Sequence, residues 1–135
     1  MKERKVVRVQ DVMERDYAVV DGVVTVAEAL AILRDRNAHF LIVAKRNEDD
    51  EFGVVMVSDI AKHVLARNRS PERTNVYEIM SKPALSVRPE MDIRYCARLF
   101  DRFGIAAAPV IVGDEIKGIV AYDQLVLKGL VEQLL

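Results

Sequence analysis

A chain of 135 residues, 51% of them hydrophobic, is long enough to bury one good core and is expected to form a single compact domain. Its 20 Lys and Arg against 21 Asp and Glu leave a net charge of −1 with no long block of one sign. That balance gives no support for general binding to nucleic acid or to an anionic membrane.

The predicted elements follow a short charged start and a strand-like opening. Thr25 can cap a helix running through Glu28 to about Arg36, with Glu28 at the third position after the cap as in a capping box. Ala29, Ile32 and Leu33 then share one face. His39 to Ala44 and Phe52 to Val57 read as short buried strands, and the polar run Lys45 to Glu51 between them reads as a solvated turn. Ser58 can cap the next helix, which carries Ile60, Ala61, Val64 and Leu65. The polar, Pro-containing stretch 67–74 is the linker. Asp92 stands at the cap position of a helix bearing Ile93, Cys96, Leu99 and Phe100. Ala106 to Val112 and Ile116 to Ala121 are strands joined by the tight-turn sequence Gly113-Asp114-Glu115, and Tyr122 to Leu135 form the last helix.

This order says the same thing twice. Val12-Met13 recurs as Ile79-Met80, Thr25-Val26 as Asp92-Ile93, Ile32-Leu33 as Leu99-Phe100 and Ile42-Val43 as Pro109-Val110, each at an offset of 67. A constant offset over that span marks two copies of one supersecondary unit, each too small to bury its own apolar face. Residues 1–66 are the first copy, 67–74 the linker and 75–135 the second copy, together expected as one compact module. Function in such an arrangement is expected in clefts between copies.

Three sets of residues are specific. Val9-Gln10-Asp11-Val12-Met13 and Asn75-Val76-Tyr77-Glu78-Ile79-Met80 resemble the opening signature of the cystathionine-β-synthase (CBS) domain. Gly104 to Val110 resembles that family's middle strand. Gly53-Val54-Val55-Met56-Val57-Ser58-Asp59 and Gly118-Ile119-Val120-Ala121-Tyr122-Asp123-Gln124 resemble its closing signature. The resemblance runs from about Val9 to the end of the chain. It implies an α/β fold of two βαββα repeats packed as a pseudo-two-fold intramolecular pair, often called a Bateman module. It further implies a ligand sensor whose adenosine-containing ligand (AMP, ADP, ATP or S-adenosylmethionine, sometimes NAD) lies in a cleft between the copies, with no enzyme activity of its own.

Residue by residue, Asp59 matches the family's ribose-binding aspartate, and a carboxylate can accept hydrogen bonds from both ribose hydroxyls. Ser58 helps start the helix, whose N-terminus favours a phosphate. Ala38, His39 and Phe40 match the strand edge that lines the base and phosphate pocket. Met56 replaces the hydroxyl residue expected three positions before Asp59. In the second copy Ala121 holds the hydroxyl position and Gln124 the aspartate position, while Asp123 lies one residue early. A second site around Ala107, Ala108, Pro109, Asp123 and Gln124 is therefore expected to be degenerate.

Each assignment has a plainer counterpart. Asp59 at a helix start favours the macrodipole on structural grounds alone. Ser58 reads first as a cap, His39 as a packing residue and Cys96 as a small buried hydrophobe. Met13 and Met80 read as wedged core contacts. His39 and His63 lack the neighbours of a metal site, so no metal is expected. Arg94, Arg98 and Arg102 read as a solvated helix face, with receipt of a phosphate from a neighbouring subunit as the other use. No nucleophile–base pair or phosphate-cradling glycine loop supports an enzyme, and no catalytic residue is assigned.

The lone cysteine excludes an intrachain disulfide framework and suits a reducing compartment. The longest apolar run, Ile105 to Val112, falls far short of a membrane span, and the charged Met1 to Lys5 is not followed by a signal-peptide apolar region. A cytoplasmic regulatory module is the resulting expectation, binding an adenosyl ligand and signalling to an effector protein. The alternative is a ligand-free interaction or assembly module. In the last helix Leu127, Leu130, Val131 and Leu134 are expected to face the core, with Leu125, Val126 and Leu135 widening the stripe into a homodimer interface.

Overall fold

Apolar spacing that alternates between helical and extended periods builds a mixed α/β fold, and the computed structural model describes residues 5–135 of it. In chain order come a short helix α1 (Val9–Val12), β1 (Val19–Val20), α2 (Val26–Asp35), β2 (Phe40–Val43), β3 (Gly53–Met56) and α3 (Val57–Ile60). α3 runs on into a π-helical stretch, Ala61–Leu65. A 3₁₀ turn at Val76–Glu78 leads to α4 (Ile93–Phe103), β4 (Ala107–Val112), β5 (Glu115–Ala121), a π-helical stretch Gln124–Leu130 and α5 (Val131–Leu134). β1 pairs with β2 in parallel, β2 and β3 form an antiparallel hairpin, and β4 and β5 form the equivalent hairpin. In the second copy the first strand shrinks to one parallel bridge between Val87 and Val110.

The cap residues do what their chemistry predicts. Thr25 Oγ1 accepts the Glu28 N–H at 3.1 Å, and Asp92 Oδ1 accepts the Arg94 N–H at 2.9 Å. α4 stops at Gly104, whose φ of +65° is the left-handed conformation that costs glycine least. The hairpin of the first copy is two residues longer than that of the second: Val43 pairs with Gly53, whereas Val110 pairs with Gly118.

The chain divides into two compact units that cut across the sequence halves. One holds Tyr17–Ala84; the other joins residues 5–16 to Leu85–Leu135. Each copy's opening segment is thus built into the other copy's unit. Within the first, the Val26 N–H donates to Thr74 O at 2.8 Å and the Val76 N–H to Val24 O at 2.9 Å. Within the second, the Ile93 N–H donates to Val7 O at 3.0 Å and the Val9 N–H to Met91 O at 2.8 Å. These bonds correspond at the same offset of 67. The physical reason is that helix starts leave N–H groups without intrahelical partners, and here each segment's carbonyls satisfy the other's start. Thr74 O and Val7 O serve Val26 and Ile93, while Val24 O and Met91 O serve Val76 and Val9. The stretch 67–74 is for that reason no loose linker: Pro71 O accepts the Ala27 N–H at 3.0 Å, and Thr74 is buried with its hydroxyl on Ser70 O.

The signature glycines mark where the exchanged segments cross. A Cβ on Gly118 would lie 2.5 Å from Glu14 O and 3.2 Å from Met13 Sδ; on Gly53 it would lie 2.9 Å from Met80 Sδ and 3.3 Å from Ser81 O. Isolated bridges Glu14–Ile119 and Val54–Ser81 run beside them. Met13 and Met80 are accordingly the wedged contacts expected, each against the glycine of the other copy's closing signature.

Each unit has its own core. Val26, Leu33, Leu41, Val43, Val55 and Val64 centre the first; Val9, Val12, Ile93, Cys96, Phe100 and Val120 centre the second. Burial pushes the Cys96 thiol up to about 11. The last helix departs from its expected phase. Leu127 and Leu134 are 68% and 72% exposed and Leu130 and Val131 are also exposed, whereas Leu125, at 3%, and Gly129 face inward. The π-helical turn spaces inward positions by four, and Gly129 lets the backbone approach Ile93, where a Cβ would come within 2.5 Å of Cδ1.

Candidate functional site

Antiparallel pairing of β2 with β3 sets Phe40 opposite Met56. The strand edge Ala38-His39-Phe40 therefore lies beside the start of α3, and the Val57 N–H donates to His39 O at 3.0 Å. His39 is exposed, Ala38 half-buried and Phe40 buried. Asp59, half-buried in the first turn of α3, reaches back so that its Oδ2 accepts the Met56 N–H at 2.8 Å. Asp59, Ser58 and His39 are thus brought to one end of one hairpin.

Ser58 is not the cap. The helix begins at Val57, two residues earlier than a cap at Ser58 would require, and Met56 occupies the cap position with no hydroxyl to offer. Asp59 closes the end instead, and the exposed Ser58 hydroxyl makes no hydrogen bond among the described residues.

The second copy repeats this geometry with different chemistry. Ala107 pairs with Ala121, and the Tyr122 N–H donates to Ala106 O at 3.1 Å. Gln124 Oε1 accepts the Ala121 N–H at 2.7 Å, the same bond that Asp59 makes, but from a neutral amide. The positions equivalent to Ala38, His39 and Phe40 are Ile105, Ala106 and Ala107; Ala108 and Pro109 lie farther along the strand and are buried. Asp123 is exposed one residue before Gln124. Reading the strand from its pairing with Ala121, rather than from the Ala-Ala-Pro run, would have found Ile105 and Ala106.

At the opposite end of β2, a hollow of about 500 Å³ is lined by Asp21, Val43, Arg46, Asp50, Tyr77 and Lys82, among others. One wall is held by Lys82 Nζ, 2.7 Å from the Asp50 carboxylate, with the Arg46 N–H donating to Asp50 Oδ2 at 2.8 Å. These bonds, the Lys82 one foremost, hold Asp50 well below the usual carboxylate range. Among the described residues no His, Cys, Asp and Glu side chains gather as a metal-binding group, and no helix is long and apolar enough to cross a membrane.

Comparison with known proteins places this geometry. A family model for the CBS domain matches residues 9–66 and again 76–128. A hexameric CBS-CP12 protein from bloom-forming cyanobacteria is 37% identical with a TM-score of 0.91, over 94% of this chain and 74% of that one. The CBS domain pair of protein MJ0100, solved in complex with 5′-methylthioadenosine and S-adenosyl-L-methionine, shares the fold at 22% identity and a TM-score of 0.77, over 90% of this chain and 98% of that one. A homoserine O-acetyltransferase from Methanosalsum zhilinae is 28% identical over 88% of this chain. The chain spans 53% and 23% of the length of two curated relatives it matches. The chain belongs to the CBS-domain family, as a tandem pair of CBS repeats.

Proposed function

We propose that this chain is a regulatory module that binds an adenosine-containing ligand at the Asp59 end of the β2–β3 hairpin and signals occupancy to an effector protein. The observation that carries the reading is the meeting of Asp59, the unused Ser58 hydroxyl and the exposed His39 at that end. Asp59 spends one oxygen on the Met56 N–H, and a carboxylate has further acceptor capacity for ribose hydroxyls. The adenosyl ligands of the MJ0100 pair support the ligand class. AMP, ADP, ATP and S-adenosylmethionine are the first candidates, and the role is binding rather than catalysis, at a cytoplasmic site of action. A ligand that favours one arrangement of the module shifts its population, and an effector reads that shift.

A thermal-shift and calorimetric screen of these ligands tests the reading. A ligand at about 100 times its dissociation constant adds roughly 2.7 kcal/mol of stability if it binds only the folded chain. No shift with any adenosyl ligand would leave the second reading, an assembly module without a ligand, which the neutral Gln124 favours.

Homodimerisation belongs to the same proposal. Val126, Leu127, Leu130, Val131 and Leu134 leave an apolar face of the last helix exposed. A second copy presents the same face, and one two-fold contact buries both. The hexameric state of the CBS-CP12 relative supports self-association. Light scattering at micromolar concentration checks it, and a clean monomer mass would remove the dimer.

A further inference from the structure

Two features of this chain are not required by the repeat, because each occurs in one copy and is absent from the other. The first is the outer face of α4. Arg94, Arg98 and Arg102 recur at one-turn spacing and are exposed, and none pairs with a carboxylate among the described residues. Arg98 lies over the exposed Tyr95 ring, 5.3 Å from its centroid. Beside them runs a hollow of about 690 Å³ floored by Met91 and Leu99, with Asp101 as its one acid. A second, of about 630 Å³, shares Met91 and Tyr95 but is mixed in charge: Arg8 and Arg88 line it together with Glu90 and Asp92, and both arginines are engaged with Glu90. At the offset of 67, α2 carries Ala27, Ala31 and Asp35 in place of the three arginines and Glu28 in place of the tyrosine.

The second feature is the longer hairpin of the first copy, which carries Glu48, Asp49, Asp50 and Glu51 where the second copy turns tightly through Gly113-Asp114. Asp50 is anchored on Lys82 and on the Arg46 N–H, and the Asp49 N–H donates to Asn47 Oδ1 at 3.0 Å. Glu48, Asp49 and Glu51 remain exposed. The anchor matters: a loop already held in place loses less conformational freedom on docking.

We propose that the arginine face of α4 is a docking site for the acidic hairpin of a second copy of this chain. The charges match in sign and number, three guanidinium groups against three free carboxylates, and guanidinium forks suit carboxylates geometrically. Each chain carries one donor surface and one acceptor surface, so two copies can exchange the contact reciprocally about a two-fold axis or pass it on head-to-tail. Nucleic acid does not suit the face as well, because the chain as a whole carries a net charge of −1. The inference stands independently of the adenosyl-ligand reading.

Charge exchange tests it by sedimentation. One variant combines Arg94→Glu, Arg98→Glu and Arg102→Glu; the other combines Glu48→Lys, Asp49→Lys and Glu51→Lys. All six positions are exposed, so both variants should keep the wild-type melting curve, with the single changes Arg98→Glu and Glu51→Lys as milder substitutes if either does not. The wild type at low salt is expected to show at least twice the weight-average mass that it shows at high salt, because screening weakens the contact. Each variant alone should stay at the high-salt mass, and an equimolar mixture should regain the larger species, since each then supplies the surface complementary to the other. A wild-type mass independent of salt overturns the proposal. So does a mixture no larger than its components, which would assign the arginine face to an acidic segment of another protein.

Discussion

Asp59 and Gln124 hold the same place in their copies and make the same bond, to the backbone N–H three residues earlier, at 2.8 and 2.7 Å. The comparison separates two duties that one residue can combine. Closing the helix start needs only an acceptor oxygen, and a neutral amide provides it as well as a carboxylate does. The negative charge at Asp59 is therefore not needed to close the helix start, although it favours the helix macrodipole there, and a charged acceptor also suits a ligand with paired hydroxyl donors. The signature glycines extend the lesson. Both make room for the exchanged opening segment, but the tightest approach at Gly118 is the Glu14 carbonyl at 2.5 Å, while at Gly53 it is the Met80 sulfur at 2.9 Å, with the Ser81 carbonyl farther off at 3.3 Å.

The largest effect expected from breaking this comparison lies at the glycines. Gly118→Ala should cost about 3 kcal/mol or more, because the carbonyl of Glu14 cannot yield, whereas Gly53→Ala should cost about 1 kcal/mol, because the Met80 side chain can rotate. Urea denaturation of both variants measures the difference, and equal losses would mean that the two crossings are equally tight. Next comes ligand affinity. Asp59→Ala should weaken the best adenosyl ligand by about 1.5–3 kcal/mol for each hydrogen bond to the charged acceptor that is lost, while Gln124→Ala should leave it unchanged. Calorimetry decides, and equal losses at the two positions would erase the asymmetry between copies.

Stability should respond in the opposite pattern. Asp59→Ala and Gln124→Ala each remove a helix-closing acceptor, and each should cost about 1 kcal/mol by chemical denaturation. Asp59→Gln should recover that stability without recovering ligand binding, which distinguishes the acceptor from the charge.

The smallest effect concerns the longer hairpin of the first copy. Asp50 is held below its ordinary range by Lys82 and the Arg46 N–H, so its contribution is present above the unfolded carboxylate pKa of about 4 and is lost as the pH falls toward the lower folded value. Glu78, held down by the Asn75 N–H and by Arg69, acts in the same direction. Thermal melts between pH 6 and roughly pH 2 should show a shallower acid loss for Asp50→Asn than for the wild type. Parallel curves would mean that the Asp50–Lys82 pair contributes nothing to folding.

Much of this was legible in the chain itself, because it depends on local chemistry. The offset of 67, the caps at Thr25 and Asp92, the two hairpins and the wedged methionines follow from apolar period, cap residues and turn residues acting over a few positions. What only the tertiary structure decided involves partners distant in sequence. Nothing local announces that Val7 and Thr74 carbonyls would complete the starts of Ile93 and Val26, so the exchange of opening segments and the docking of 67–74 were beyond reach. The phase of the last helix was likewise set by the close approach of Gly129 to Ile93, which turned Leu125 inward and left the expected core stripe in solvent. Gln124 looked like a lost site residue until its bond to Ala121 showed the acceptor retained and only the charge removed. Local patterning determines which elements form; the satisfaction of their ends and faces depends on what the fold brings to them.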